Sequence, residues 1–436
     1  MADPELVRFT TDNGLRVVLA PDPTAPVVGV SVHYDVGFRS EPEGLTGFAH
    51  LFEHLMFQGS ESLEKLAHFR HVQSSGGTFN GSTHPDYTDY YEVLPSAALE
   101  RALFLEADRM RAPKLTAENL ANQIEVVKEE IRLNVRNRPY GGFPWILLPP
   151  VLYDTFANAH DGYGAFEDLE GATLEDCAAF FDTFYSPANA VLTVAGDFEV
   201  EEAKALIGKH FGDVPHRPAP PRRSFAEPAP TRELHGEHQD AHAPLPALAV
   251  GYRMPDPIND LDGYLAYLVL ASLLTDGDGS RLQQRLVHRE PLVVDIGAGA
   301  GLFGPFEARD PDTFTITAIH PPDVSRERVL AALDEELEKL ASTPPDEQEL
   351  KKVTARWAAS LHSEHDRLVS RTLAFGAFEL LYGDATLVHR LAGRMSAVTG
   401  EAVSAAAKAL RPDSRAVLVV KPAGAENPDT TEGTEQ

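Results

Sequence analysis

Six prolines between residues 215 and 230, in Pro215-His216-Arg217-Pro218-Ala219-Pro220-Pro221 and on to Pro228-Ala229-Pro230, cut the chain almost at its midpoint. Proline fixes φ and removes a backbone donor, so neither a helix nor a central strand runs through such a stretch. A chain of 436 residues is also too long for one ordinary core. The expectation is two domains, residues 1–214 and 235–422, joined by a Pro-rich linker at 215–234. The Gly- and Thr-rich acidic tail at 423–436 reads as disordered.

The two halves share a plan. Thr173-Leu174-Glu175-Asp176 opens a helical stretch that leads to the buried-strand pattern Ala190-Val191-Leu192-Thr193-Val194. Thr399-Gly400-Glu401-Ala402 opens another that leads to Ala416-Val417-Leu418-Val419-Val420, and both pairs are offset by 226 residues, about half the chain. Such an offset points to a duplication. In the first half, 15–19 and 27–34 read as strands, followed by a helix at about 45–57, a Gly-Gly turn at 76 and 77, a strand to Val93, and helices at 97–110 and 116–136. The second half runs similarly, with a strand near 246–252, a helix at 260–273, a strand near 312–319 and further helices. Strand runs and helix runs are segregated, which predicts an α+β fold of two homologous domains, each a mainly antiparallel sheet packed with helices.

Composition excludes several classes of function. With a formal charge of −28, nucleic acid and anionic membrane are not expected partners, because phosphate binding relies on clustered Lys and Arg; a basic peptide would suit that charge, but solubility accounts for it more simply and no substrate is drawn from it. No apolar run approaches the roughly 18 residues of a membrane span. The opening Met1-Ala2-Asp3-Pro4-Glu5-Leu6 has neither a basic nor an apolar export region, so a cytoplasmic location is expected. A lone cysteine, Cys177, allows no intramolecular disulfide and no thiolate cluster, so any metal must rest on His and carboxylate.

The segment Gly47-Phe48-Ala49-His50-Leu51-Phe52-Glu53-His54-Leu55-Met56-Phe57 meets that requirement. Positions four apart lie one turn above each other on a helix, so His50 and His54 can aim at one metal ion, and Glu53 shares their edge. Apolar residues cover much of the remaining circumference, and burying two His and a Glu unpaired is costly. A catalytic zinc keeps three protein ligands and an open fourth position, so one more acceptor is needed. The helix from Thr116 to about Arg136 supplies it. Glu129 lies nearly opposite the stripe Leu120, Ile124, Val127, Ile131 and Val135, whereas Glu130 sits on its flank; Glu130 is the chosen ligand and Glu129 a solvated partner for Arg132 or Arg136.

His50-x-x-Glu53-His54, followed 76 residues later by Glu130, resembles the inverted zinc motif of the inverzincins, the pitrilysin-like peptidases that include mitochondrial processing peptidase and insulin-degrading enzyme. Gly76-Gly77-Thr78-Phe79-Asn80-Gly81-Ser82-Thr83 is similar to that family's G-G-x-x-N-A-x-T stretch, and Asn137-Arg138-Pro139-Tyr140-Gly141 to a segment of its bacterial members. The resemblance implies one Zn²⁺ per chain held by His50, His54 and Glu130, with Glu53 as base and then acid. It also implies a peptide substrate added as a strand along Phe79, Asn80, Gly81, Ser82 and Thr83. Gln123 stands where the family often has a second-sphere Glu.

One departure bears on assembly. Single-chain and homodimeric members carry an Arg and, seven residues later, a Tyr that contact substrate; the matching positions after Ser280-Arg281-Leu282 are Val287 and Val294. The missing pair is then expected from a homologous partner that lacks the metal motif, making a heterodimer around a closed chamber. The alternatives are a non-catalytic scaffold subunit of the same fold, or a homodimeric peptidase with a shifted clamp using Arg289 or a nearby Tyr. Two further His groups read as polar surface: His235-Gly236-Glu237-His238 through His242, a solvated run, and His362 with His365, a polar helix face.

Overall fold

The computed structural model describes residues 6–423, so all but the first residue of the tail expected at 423–436 lies outside the described residues. The first half forms a six-stranded sheet from β1 (Val7–Thr10), β2 (Arg16–Pro21), β3 (Val27–Tyr34), β4 (Thr78–Thr83), β5 (Thr88–Pro95) and β6 (Ala190–Gly196), in the order β1-β2-β6-β3-β5-β4. The second half forms a five-stranded sheet from β7 (Leu234–Asp240), β8 (Ala247–Arg253), β9 (Asp295–Ala300), β10 (Thr313–Ile319) and β11 (Arg415–Pro422), in the order β7-β11-β8-β10-β9. In each sheet the last strand inserts beside the first of the matched set, β6 parallel to β2 and β11 parallel to β7, while every other matched pairing is antiparallel. Matched strand by strand, the two sheets are copies, with β1 an extra edge on the first.

Helices cover one face of the first sheet: α1 (Phe48–Leu55), α2 (Ala67–Ser74), α3 (Leu99–Arg111) and α4 (Ala117–Ile131). The helix expected to run to residue 136 ends its α-helical part at Ile131 and widens into a π-helical turn over Arg132–Arg136. The other face of β3 and β6 is covered by the helix Leu368–Tyr382 of the second half, where Gly376 brings its backbone close to His33 and Gly29 lies against Thr372. With both faces covered, β6 is buried along its whole length and β3 nearly so; β6 reads as an almost continuous apolar run, while β3 turns Val28, Val30, Val32 and Tyr34 to one face and the smaller or polar Gly29, Ser31 and His33 to the helix on the other.

The exchange is reciprocal. Leu148, Leu152 and Tyr153, from the first half, pack on Ala249, Ala416 and Leu418 of the second sheet. Gly251 and Gly236 leave room there for Leu148 and Val151. Each half thus lends a segment to the other's sheet. The solvated run beginning at His235 is β7, an edge strand whose exposed side chains alternate with half-buried ones, and Leu234, counted with the linker, begins it. Cys177 is fully buried in the first core.

Candidate metal centre

Five buried side chains, Phe48, Ala49, Leu51, Phe52 and Leu55, anchor α1 in the first core and leave His50, Glu53 and His54 along one open edge. Its N-terminus is fixed from outside the helix. The buried Glu41 carboxylate accepts from the backbone N–H groups of Gly47 at 2.9 Å and Ala49 at 2.7 Å, and meets His160 Nε2 at 3.1 Å. Such N–H groups have no partner within the helix, and a carboxylate also suits the positive end of the dipole. Burial pushes the Glu41 carboxyl up to about 7 against these hydrogen bonds.

α4 crosses beside α1 and contributes Glu130. His50 Nε2 and His54 Nε2 lie 3.3 Å apart, and Glu130 Oε2 lies 3.8 Å from the first and 3.5 Å from the second. A point equidistant from the three donor atoms is about 2.1 Å from each, the length of a Zn–N or Zn–O bond. The donor set therefore fits an ion of that size and leaves one side open. Burial, followed by the neighbouring His54, presses His50 down to about 4, so its ring stays neutral with a lone pair to give. Burial opposes protonation of His54, but the Glu130 hydrogen bond and the charges of Glu53 and Glu130 raise it. The hydrogen bond from His54 in turn holds Glu130 below the usual carboxylate range.

Glu53 sits on the same edge and faces β4. Its Oε2 accepts from Thr83 Oγ1 at 2.7 Å, and a Cβ built on Gly81 would lie 3.2 Å from its Oε1, so helix and edge strand are in contact. Burial lifts Glu53 to about 7 against the Thr83 hydrogen bond. Gln123, on α4, is buried, and its amide donates to Asn122 Oδ1 at 2.9 Å. Glu129 points to solvent and pairs with Arg132 at 3.0 Å. Of the five strand residues, Gly81 and Thr83 meet Glu53, and Phe79 stacks on Phe69 with ring centroids 4.6 Å apart. Asn80 is exposed, and Ser82 lies on the opposite face of the strand, paired in register with Asp89.

Tyr163 was not singled out by the sequence. Its hydroxyl donates to Glu130 Oε1 at 3.2 Å, and its ring stands edge-on to His50 with centroids 5.3 Å apart. Two glycines at positive φ, Gly47 (+76°) and Gly164 (+76°), let the loop carrying Tyr163 touch the start of α1, where a Cβ on either would meet backbone at 2.2 Å. A glycine-flanked tyrosine is too common a pattern to have been read as part of a site. A second grouping, His68, Glu92 and Glu106, is fully buried. Arg109 already supplies its cation: it pairs with Glu106 and lies over the rings of Phe57 at 5.0 Å and Tyr90 at 4.5 Å.

Val287 and Val294 carry no polar group to their surroundings: Val287 packs against the second core and Val294 is 53% exposed just before β9. The nearby Arg281 and Arg285 are engaged with Glu349 and with Glu335 and Glu336.

A duplicated α+β chain with an H-x-x-E-H helix laid against a free edge strand, and a carboxylate arriving from a second helix, has the architecture of the inverzincin peptidases. Residues 16–139 match the insulinase (peptidase family M16) domain family, and residues 171–356 match the peptidase M16 inactive domain family. The zinc protease PqqE of Helicobacter pylori is 30% identical over 384 residues, covering 83% of this chain and 82% of that protein. A crystal structure of a protease from Helicobacter pylori superposes with a TM-score of 0.87 at 26% identity, covering 96% of this chain and all of that one. The peptidase M16 inactive domain from Pseudomonas fluorescens shares the fold at a TM-score of 0.83 and 20% identity, over 97% and 99% of the two chains. This chain belongs to peptidase family M16.

Proposed function

We propose that this chain is the metal-bearing subunit of a zinc endopeptidase that cleaves extended or unfolded peptides in a chamber closed by a homologous partner subunit. The observation that carries the reading is the convergence of His50 Nε2, His54 Nε2 and Glu130 Oε2 at zinc-ligand spacing, with Glu53 one helical position away and held by the edge strand. Zinc in that position would act as a Lewis acid on the scissile carbonyl and on water.

The chain's own groups do the rest. Glu53 takes a proton from the attacking water and passes it to the leaving amine, a task suited to a carboxylate whose affinity for protons is raised towards neutrality. Thr83 fixes one of the Glu53 oxygens, Oε2, by donating its hydroxyl hydrogen to it. The outer edge of β4 pairs with no strand among the described residues, so an extended peptide can add there through main-chain hydrogen bonds. The partner is inferred from Val287 and Val294, which cannot supply the Arg and Tyr of the self-sufficient members.

The match of residues 171–356 to a family described as inactive favours a second reading, a non-catalytic subunit of an assembly. The experiment is hydrolysis of a mixed peptide library by the purified chain, with and without a homologous subunit lacking the metal motif, before and after chelation. Chelator-sensitive cleavage that appears only with the partner is expected. Full-rate cleavage by the chain alone removes the partner, and a chain that binds no zinc in either state removes the peptidase.

A further inference from the structure

The inner faces of α1 and α4 are fixed by the first core, but the edges that carry His50, His54 and Glu130 are only half-buried. On that open side one short stretch, residues 160–170, bears on both helices. It reaches the start of α1 at two points. His160 meets Glu41, the carboxylate that accepts from the N–H groups of Gly47 and Ala49. Asp168 Oδ2 accepts from Thr46 N–H at 3.1 Å and from Thr46 Oγ1 at 2.6 Å, and Thr46 Oγ1 in turn accepts from Ala165 N–H at 2.9 Å. The same stretch grips α4 and its π-helical turn on both sides of Glu130. The charged groups of Lys128, Arg132 and Arg136, spaced four residues apart, lie 5.5, 5.1 and 3.8 Å from the centroid of the Phe166 ring, and Glu170 accepts from Lys128 Nζ at 2.6 Å. Ring and cations attract through the quadrupole of the aromatic face.

Ligand distances in a zinc site are held to about 0.2 Å, and the donors here come from two separate helices. A stretch tied to Thr46 beside one helix and to three side chains along the other limits how far His50 and Glu130 can drift apart before an ion joins them. We infer that residues 160–170 form a brace that sets the separation of the two ligand-bearing helices, with Asp168 and Phe166 as positioning residues that act through Thr46 and through α4. The inference rests on the zinc reading put forward above and deepens it: metal affinity depends on a segment 30 to 40 residues beyond Glu130 in sequence, because that segment holds the donor set together in the metal-free chain.

The test uses the full-length chain stripped of metal, with zinc affinity measured by competition against a chromophoric chelator and the metal-free chain unfolded in urea alongside. Asp168→Ala, which removes the acceptor shared by the two Thr46 donors, should weaken zinc about tenfold while the metal-free midpoint moves by less than about 0.5 M urea. Asp168→Asn keeps an acceptor oxygen for Thr46 and should bring affinity back to within about threefold of the parent. Phe166→Leu keeps an apolar side chain without the aromatic face and should weaken zinc in the same direction, whereas Phe166→Tyr should not. Affinities within about threefold of the parent in both Asp168→Ala and Phe166→Leu overturn the brace and leave the zinc reading intact. So does a loss of affinity that comes with a larger fall in metal-free stability and is not rescued by Asp168→Asn, since that marks a contact needed only for folding. If the parent itself takes up no zinc, the zinc reading fails and the brace falls with it.

Discussion

Tyr163 donates to Glu130 Oε1, and the two imidazoles of His50 and His54 both approach Glu130 Oε2. The carboxylate is thereby divided, one oxygen fixed by a neighbour and the other presented to the centre. Groups that orient a ligand in this way commonly change metal affinity by 10–100-fold. Tyr163→Phe should weaken zinc binding about tenfold in a competition titration with a chromophoric chelator. Glu130→Ala should lose the metal, whereas Glu129→Ala should keep it; an unchanged zinc affinity in Tyr163→Phe would show that the hydroxyl does not position Glu130.

Glu53 lies off the ligand set, so Glu53→Gln should retain near-normal zinc by elemental analysis. Turnover in the partnered enzyme should fall by about 10²–10⁴-fold, the contribution of a positioned proton-transfer group. A variant that still cut peptides at the parental rate would remove Glu53 as the base.

The same substitution has a signature in stability. Burial holds the Glu53 carboxyl at about 7 in the folded chain against an ordinary value of 4.5, so the ionised form is penalised in the folded state. As pH rises from about 4.5 to 7 the unfolded chain releases this proton first, and folding stability is lost across that window. Metal-free Glu53→Gln should therefore match the parent at pH 4 and exceed it by about 1–3 kcal/mol at pH 8. Denaturant unfolding at the two pH values measures this, and an equal difference at both would refute it.

Arg39 ties the halves together. It pairs with Asp86 in the first half and donates to the backbone carbonyls of Arg309 and Pro311 in the second, each at 3.0 Å, with both members of the ion pair buried. Removing one partner of such a pair strands the other. Arg39→Ala should destabilise the chain by about 3–5 kcal/mol in urea unfolding, and a loss below about 1 kcal/mol would mean that water replaces the guanidinium.

Much of the candidate metal site could be read from local periodicity. His50, Glu53 and His54 are fixed relative to one another by the helical turn, and the apolar stripe of α4 was enough to prefer Glu130 over Glu129. The β6 run was equally legible, since a strand covered on both faces is largely apolar, and β3 showed through its alternating valines. Edge strands carry no such mark. β7 is a string of polar residues because one side has no partner strand among the described residues and one face meets water, and β9, Asp295-Ile296-Gly297-Ala298-Gly299-Ala300, is too small in side chain to show an alternation.

The sequence alone determined which side chains can share a helical edge, where proline interrupts regular structure near the midpoint, and that any metal held by this chain would rest on imidazole and carboxylate. Tertiary structure decided what meets across elements: Tyr163 on Glu130, Thr83 on Glu53, Glu307 on His84, and the segments each half lends to the other's sheet. The reason is range. Periodicity reports on neighbours within a turn or a strand, whereas these contacts join residues tens to hundreds of positions apart, and only the packing of helices, loops and sheets against one another sets their distances.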